Sequence, residues 1–232
     1  MDCKDSLVFL KGIETDSVDY VQTDPPYYVT EYPWDCQWKF FQDYCQWLLE
    51  HFKEFERILK DGGSLHCFLG RKGCAYIQNC NFEKLILRDK IIWYYRNGFT
   101  KHPESLLSSH YDEILFYTKG KPSYFDLEYV KKNVIFNVIE CSRLQKGWKE
   151  TKYHATQKPL KVVTILLKMS CPEDGLAVDP FAGSGTLGIA CEKYNRRFIL
   201  NDYDCTMLSI FKQREKQEIR DEPRKESKII VY

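Results

Sequence analysis

Two short stretches carry residue types that could do chemistry. The first is Asp24-Pro25-Pro26-Tyr27, which ends the alternating, β-branched run Val18–Thr23. Prolines make a rigid turn, because the ring fixes φ and removes the N–H donor. A rigid turn alone needs neither a carboxylate nor an aromatic ring beside it. The second is "GLAVDPFAGSGTLGIA", a strand, a loop with Gly183 and Gly185, and a helix. Such glycines let a ligand approach the backbone, and the helix start offers unpaired N–H groups. The loop lacks the Gly-Lys-Ser/Thr ending of a phosphate-binding P-loop and is not a complete Gly-x-Gly-x-x-Gly. Its distinctive residue is Asp179, at the strand end, which suits a cationic ligand group better than a pyrophosphate. Asp202 closes "RRFILND" about twenty residues later, where an acid accepts both hydroxyls of a ribose. A nucleoside with a positively charged appendage is implied, and S-adenosylmethionine meets that description.

The frame that must position these residues is partly legible. Val18–Thr23 is expected to be a strand. Apolar residues at Trp38, Phe41, Cys45, Leu48, Phe52, Phe55 and Leu59 step by three and four, the face of a long helix that Asp61-Gly62-Gly63 should stop. "SLHCFLG" follows as a buried strand, with a helix over Lys72–Phe82 and two further strands in "DKIIWYYRN" and "DEILFYTKG". The intervening "GFTKHPESLLSSHY", broken by Gly98 and Pro103, is a candidate mobile loop. Residues 121–152 are mixed and basic without periodicity. "PLKVVTILLKMS" is a helix, "GLAVDP" a strand, "GTLGIACEKYN" a helix and "RRFILND" a strand. From Lys212 the chain is nearly all charged, a solvated helix end or a disordered tail, and the terminal "KIIVY" could add a strand. Strands alternating with helices imply an α/β fold around a mostly parallel sheet. Ligands bind beyond the C-terminal strand ends of such sheets, which would put both motifs on one functional edge.

At 232 residues the chain is expected to form a single domain, with 121–152 as a small insert and 212–232 as a charged tail. A net charge of +1 excludes a polycation, so any nucleic-acid surface must be a local basic patch. The ten cysteines contain no Cys-x-x-Cys pair and fall within expected strands and helices as often as in loops, which is read as small buried thiols in a reducing cytosol. No stretch approaches the ~20 apolar residues that cross a membrane, and the start "MDCKDSLVF" is acidic, so a soluble cytoplasmic protein is expected.

"TDPPY", "HATQKPL" and "DPFAGSGT", in that order, resemble the DNA amino-methyltransferases that act on exocyclic N6 of adenine or N4 of cytosine. More narrowly they resemble the β-group, in which the catalytic tetrapeptide precedes the cofactor loop, a circular permutation of the usual order. The resemblance implies a Rossmann-like methyltransferase fold, with helices on both faces of a twisted sheet. It implies that Asp179, Phe181, Gly183 and Gly185 hold the methionine part of S-adenosylmethionine. Asp202 matches the acid on the ribose, and Asp5 the acid that reads the cofactor's adenine amino group. Thr156, Gln157 and Lys158 match the segment around the methionine carboxylate, and Trp34-Asp35 resembles a Trp-Asp pair found after the tetrapeptide. Departures are Ala155 for the usual proline, Asp202 for the commoner Glu, a very short chain before Asp5, and a small region for target recognition within 121–152.

The implied chemistry explains the turn. An exocyclic amine is a poor nucleophile because its lone pair is delocalised into the ring. The Asp24 carboxylate and the Pro25 carbonyl, presented rigidly by Pro25-Pro26, can hold its hydrogens so that the lone pair faces a methyl sulfonium. The leaving group is already cationic, so direct transfer needs no acid and no metal. The base must first leave the duplex, and Tyr27 is then the ring beneath it. Tyr28 is assigned to packing. Phosphate contacts are expected from Arg96, Lys101, Arg143, Lys146, Lys149 and Lys152. The expected reaction is N6-adenine methylation of a short DNA site, with N4-cytosine methylation the nearest alternative. A non-catalytic DNA-binding subunit is the rival of a different class, and RNA or protein methylation a further one. A homodimer or a partner subunit is possible.

Overall fold

The structure is a computed structural model that describes residues 1–99, 107, 109–134, 136–145, 153–154 and 156–218. Its strands are β1 (Val18–Thr23), β2 (Leu59–Leu69), β3 (Leu85–Phe99), β4 (Ser109–Lys119), β5 (Val138–Glu140), β6 (Leu176–Asp179) and β7 (Arg197–Leu200). Its helices are α1 (Ser6–Lys11), α2 (Phe41–Ile58), α3 (Arg71–Ile77), α4 (Leu127–Asn133), α5 (Leu160–Ser170), α6 (Thr186–Lys193) and α7 (Thr206–Glu218). The strands form one sheet in the order β5-β3-β4-β2-β1-β6-β7. All neighbours pair in parallel except β4, which is antiparallel to both β2 and β3. Six strands therefore point one way, and the ends of β1, β2, β3, β5, β6 and β7 share an edge. This is the α/β, mostly parallel sheet that the alternating pattern implied.

Central strands are buried on both sides, which is why they are rich in β-branched and aromatic residues. On one face, Leu48, Phe52 and Phe55 of α2 pack over Val21, Leu65, Cys67 and Tyr117. On the other, Val162, Ile165 and Leu166 of α5 pack over Phe68, Trp93 and Ile114. From β1 the chain crosses through α2 to β2 on one side, whereas β6 lies on the other. The order of strands thus reverses at the β1–β6 junction, where a crevice opens at the strand ends.

Several boundaries differ from expectation. The helix of the three-and-four pattern begins at Phe41, and Trp38 precedes it as a loop residue wedged against Tyr44 and Trp47 at 5.0 and 4.7 Å. It ends at Ile58 because Leu59 turns extended (ψ 136°) and enters the sheet beside Val18. Asp61-Gly62-Gly63 therefore do not stop the helix; they lie inside β2. Gly62 has φ +84°, and a Cβ there would sit 2.7 Å from the Ser123 side chain. The glycine answers a close approach of chain from elsewhere, which local pattern does not reveal. The helix expected over Lys72–Phe82 is the shorter α3. In residues 121–152, α4 packs near α5 through Tyr129 and Val130, and β5 joins the sheet beside β3. Lys212 continues α7, while "KIIVY" lies outside the described residues. All ten cysteines are free thiols. Among the described residues no helix is long and apolar enough to cross a membrane.

Candidate active site

β1 delivers Thr23 to the sheet edge, and the chain turns there through Asp24-Pro25-Pro26-Tyr27. One buried carboxylate holds the residues after the prolines. Asp35, 1% exposed, accepts the backbone N–H groups of Tyr27 and Tyr28 on Oδ1 (2.5 and 2.9 Å). Its Oδ2 accepts those of Val29 and Thr30 (3.0 and 2.6 Å) and the Thr30 hydroxyl (2.7 Å). A buried charge is tolerated when it is so fully bonded, and loop donors are satisfied in return. Tyr28, at φ +56°, stacks on Tyr44 at 5.6 Å, so it is the packing residue that was expected. The Tyr44 hydroxyl donates to the Pro26 carbonyl at 3.0 Å. That bond takes up one acceptor site of the Pro26 carbonyl.

Asp24 is engaged on both oxygens. The Tyr27 hydroxyl donates to Oδ1 at 2.6 Å, and the Lys158 ammonium pairs with Oδ2. Burial, first, and the neighbouring Asp24 charge push the Tyr27 phenol well above its ordinary range, so it stays a neutral donor. Gly70 makes room for that ring: a Cβ there would come within 3.1 Å of Tyr27 Cβ. The Lys158 ammonium, expected at a methionine carboxylate, lies against the Asp24-Pro25-Pro26-Tyr27 turn, 5.3 Å from the Tyr27 ring centre.

The second motif meets the first across the β1–β6 junction. Asp179 ends β6, 8% exposed, and its Oδ1 accepts the Thr23 hydroxyl at 2.8 Å and the Phe181 N–H at 3.0 Å. Burial pushes its carboxyl up to about 7, against those two donors, which favour the charged form. Beyond it the backbone turns left-handed at Gly183 (φ +50°) and Gly185 (φ +76°). A Cβ on Gly183 would meet open space, while one on Gly185 would lie 2.3 Å from the Phe211 ring. The two glycines thus serve different ends: Gly183 borders the cleft, and Gly185 lets α7 close over α6. Asp202 accepts the Gly183 N–H at 2.7 Å and the Asp204 N–H at 3.0 Å, and burial raises its carboxyl. Phe181 packs on Trp47 and His51 at 5.5 and 5.2 Å.

Asp5 caps α1, accepting the N–H groups of Leu7 and Val8 at 3.0 and 3.1 Å. Before it only Asp2 pairs, in a single bridge with Asn201. Even so, Asp5 reaches the rim of the cleft. Asp5, Asp24, Pro26, Trp47, Phe181, Gly183 and Asp202 line one cavity of about 660 Å³, within the range of small-molecule sites. A narrower pocket adjoins it, sharing Asp24, His154, Phe181 and Gly183, and is lined further by Thr156, Gln157, Lys158 and Asp179. Acids at both ends and a glycine wall fit a cationic nucleoside ligand. Thr156 pairs with His154 Nδ1 at 3.1 Å, and buried Gln157 accepts the Tyr153 N–H at 2.9 Å.

Of the basic residues expected at phosphates, Arg96 and Arg143 are described. Arg96 projects near the end of β3, paired on the surface with Glu140 at 2.6 Å. Arg143 follows β5 on the same edge and lies over the Tyr95 ring at 4.9 Å. Lys101, Lys146, Lys149 and Lys152 lie outside the described residues, as does Ala155. Sequence reasoning did not find Phe68, Trp47 or Met207 at the cleft. Phe68 and Trp47 carry only the signal of core residues. Asp35 was noted for its pairing with Trp34, without the backbone role it has.

A DNA methylase family model matches residues 18–213. The type II methyltransferase M.HpaI of Haemophilus parainfluenzae is 30% identical over 229 residues, covering 91% of this chain and 72% of that protein. The DNA adenine methyltransferase YhdJ of Escherichia coli (strain K12) is 28% identical, covering 84% of this chain and 75% of its own length. Among solved structures, PvuII DNA methyltransferase (cytosine-N4-specific) superimposes with a TM-score of 0.73 at 20% identity, over 93% of this chain and 88% of that one. Family match, relatives and fold agree with the crevice between β1 and β6: the chain belongs to the N6/N4 family of S-adenosylmethionine-dependent DNA methyltransferases.

Proposed function

We propose that this chain methylates the exocyclic N6 of an adenine flipped out of a short, specific DNA site. The observation that carries the reading is the position of Asp24. It lines both the large cavity and the narrower pocket beside it, next to Asp179 and Gly183, and its Oδ1 accepts the Tyr27 hydroxyl. S-adenosylmethionine, when bound, supplies an activated methyl group that leaves a neutral thioether. Asp202 and Asp5 fit the nucleoside part, and Asp179, Gly183 and Thr156–Lys158 the methionine part. The Asp24 carboxylate and the Pro25 carbonyl hold the two amino hydrogens, so the nitrogen lone pair is aimed rather than conjugated. Asp24 is also placed to receive the proton that the amine loses. Tyr27 stacks under the base, an interaction worth about 1–3 kcal/mol. Arg96 and Arg143, with Lys101, Lys146 and Lys149, are assigned to phosphates.

An acid at the first position of the tetrapeptide favours adenine over cytosine, whose enzymes more often carry Ser there. YhdJ is an adenine methyltransferase, and the cytosine-N4-specific PvuII enzyme is the reason to test N4-cytosine alongside. Digestion of DNA incubated with the protein and labelled S-adenosylmethionine, followed by nucleoside chromatography, is the test. N6-methyl-2′-deoxyadenosine is expected, and N4-methyl-2′-deoxycytidine alone would overturn the assignment. Asp24→Ala should end turnover with cofactor still bound; a turning-over Asp24→Ala would sink the mechanism. The same reading implies a cytoplasmic, DNA-associated protein, and sedimentation with and without DNA distinguishes a monomer from a homodimer.

A further inference from the structure

Lys158 occupies the place that the base reading assigns to the target amino group. Its ammonium pairs with Asp24 Oδ2, and it lies 5.3 Å from the Tyr27 ring centre and 5.2 Å from that of Phe68. The side chain is only 12% exposed. An N–H donor on Asp24 set against an aromatic face is what a stacked base with an exocyclic amine would present. An ammonium over aromatic rings satisfies the same surface by cation–π attraction. The other oxygen of Asp24 already holds the Tyr27 hydroxyl at 2.6 Å. A base amine and Lys158 therefore compete for the same oxygen of Asp24, beside the Tyr27 and Phe68 rings.

Lys158 also lines the narrower pocket together with Thr156, Gln157 and Asp179. A ligand that brings a carboxylate into that cleft offers the ammonium a second anion, and a lysine stem is long and flexible enough to change partners. The methionine portion of S-adenosylmethionine carries such a carboxylate. We propose that Lys158 is a place-holder in the base site, drawn off Asp24 by the cofactor's carboxylate, so that cofactor binding opens the slot for the target amine. The proposal rests on the cofactor reading above and adds an order to it: cofactor first, base second. No covalent step is involved; one ion pair is exchanged for another. It also places Phe68, a strand residue, beside the target amine.

Exchange of partners has a thermodynamic signature. The cofactor must break the Lys158–Asp24 pair before it gains its own, so its apparent affinity is reduced by the fraction of molecules in which Lys158 is free. Coupling between cofactor and base is then reciprocal. Removing the Asp24 charge releases Lys158 in advance. Calorimetry with S-adenosylhomocysteine reads this directly. Its sulfur is neutral, so the loss of an anion at Asp24 does not act through a sulfonium.

Asp24→Asn is expected to bind S-adenosylhomocysteine about tenfold tighter than the parent, and Lys158→Met several-fold more weakly. In the double variant, Asp24→Asn should bring no gain over Lys158→Met alone. Thermal melting of each variant verifies that it is folded. An Asp24→Asn affinity equal to or weaker than the parent overturns the place-holder while leaving the cofactor assignment intact. So does a gain that persists on the Lys158→Met background, since that gain would be plain relief of carboxylate repulsion. A folded parent that fails to bind S-adenosylhomocysteine at all overturns the cofactor reading and the place-holder with it.

Discussion

The Thr23 hydroxyl donates to the Asp179 carboxylate at 2.8 Å, joining the last residue of β1 to the last residue of β6. This bond links the strand that carries the Asp24-Pro25-Pro26-Tyr27 turn to the strand that carries the glycine loop. Thr23→Val keeps the shape and removes the donor, leaving a buried carboxylate with one partner fewer. A stability loss of about 1–3 kcal/mol is expected, the cost of an unsatisfied buried acceptor. Chemical denaturation measures it, and S-adenosylmethionine affinity should fall in parallel because the acid is no longer oriented.

The raised Asp179 carboxyl gives a pH dependence of defined sign. Its carboxyl moves from an ordinary 3.8 up to about 7, so between those values the folded chain holds a proton that the unfolded chain has released. This group's contribution to stability therefore falls as pH rises through that window. A cationic ligand favours the ionised form, so affinity should rise with pH and level off above about 7, changing by up to about tenfold per pH unit below it. Calorimetry in buffers of different ionisation enthalpy should detect proton release on binding. Asp179→Asn should bind weakly and without this slope, even though Asp202, His154 and Lys158 border the same cleft.

Asp35 touches neither cavity wall directly; it acts on the turn through Tyr27, Tyr28, Val29 and Thr30. Asp35→Ala frees those donors and lets the Tyr27 ring shift. A displacement of about 1 Å at a reacting centre costs roughly 10²-fold in rate. The expected result is a kcat about 10²-fold lower, with S-adenosylmethionine affinity within about twofold of the parent. Equal losses in both would mean that Asp35 supports the whole fold rather than the turn.

Tyr27 has two separable parts, a ring and a hydroxyl on Asp24. Tyr27→Phe removes only the hydroxyl bond, whereas Tyr27→Ala removes the stacking face, worth about 1–3 kcal/mol or roughly 5- to 150-fold in kcat/KM for DNA. Steady-state kinetics on the preferred DNA site should show the alanine variant clearly worse. If the two variants are equally impaired, the ring does not stack under the base.

Gly185 combines φ +76° with a hypothetical Cβ 2.3 Å from the Phe211 ring. Gly185→Ala therefore meets backbone strain and a clash in the α6–α7 contact together, and should cost about 2–4 kcal/mol. A lowered melting temperature checks this. Gly183→Ala, whose Cβ meets open space but whose φ is +50°, should melt closer to the parent and lose cofactor affinity instead.

Composition and spacing sufficed for the layers of the fold and the poles of the cleft. "DPPY" and "DPFAGSG" each end a strand whose β-branched residues are buried on both faces, and that local pattern is strong in a parallel sheet. Helix α2 was legible because its periodic apolar face persists over 18 residues, whereas α5 and α6 are buried along nearly their whole length and show as apolar runs between turn signals. Helix α4 and strand β5 are too short to set a period, so their existence depends on packing against α5 and β3. The glycines at 62 and 63 were read as a helix stop because turn chemistry looks alike locally, whereas the approach of Ser123 is made by chain far away in sequence. The partners of functional groups were decided only by the tertiary structure. Thr23 meets Asp179 across 156 positions, and Lys158 meets Asp24 across 134. Residue types announce which groups can bond; which donor reaches which carboxylate first is set by how β1, β6 and the segment before α5 converge on one edge.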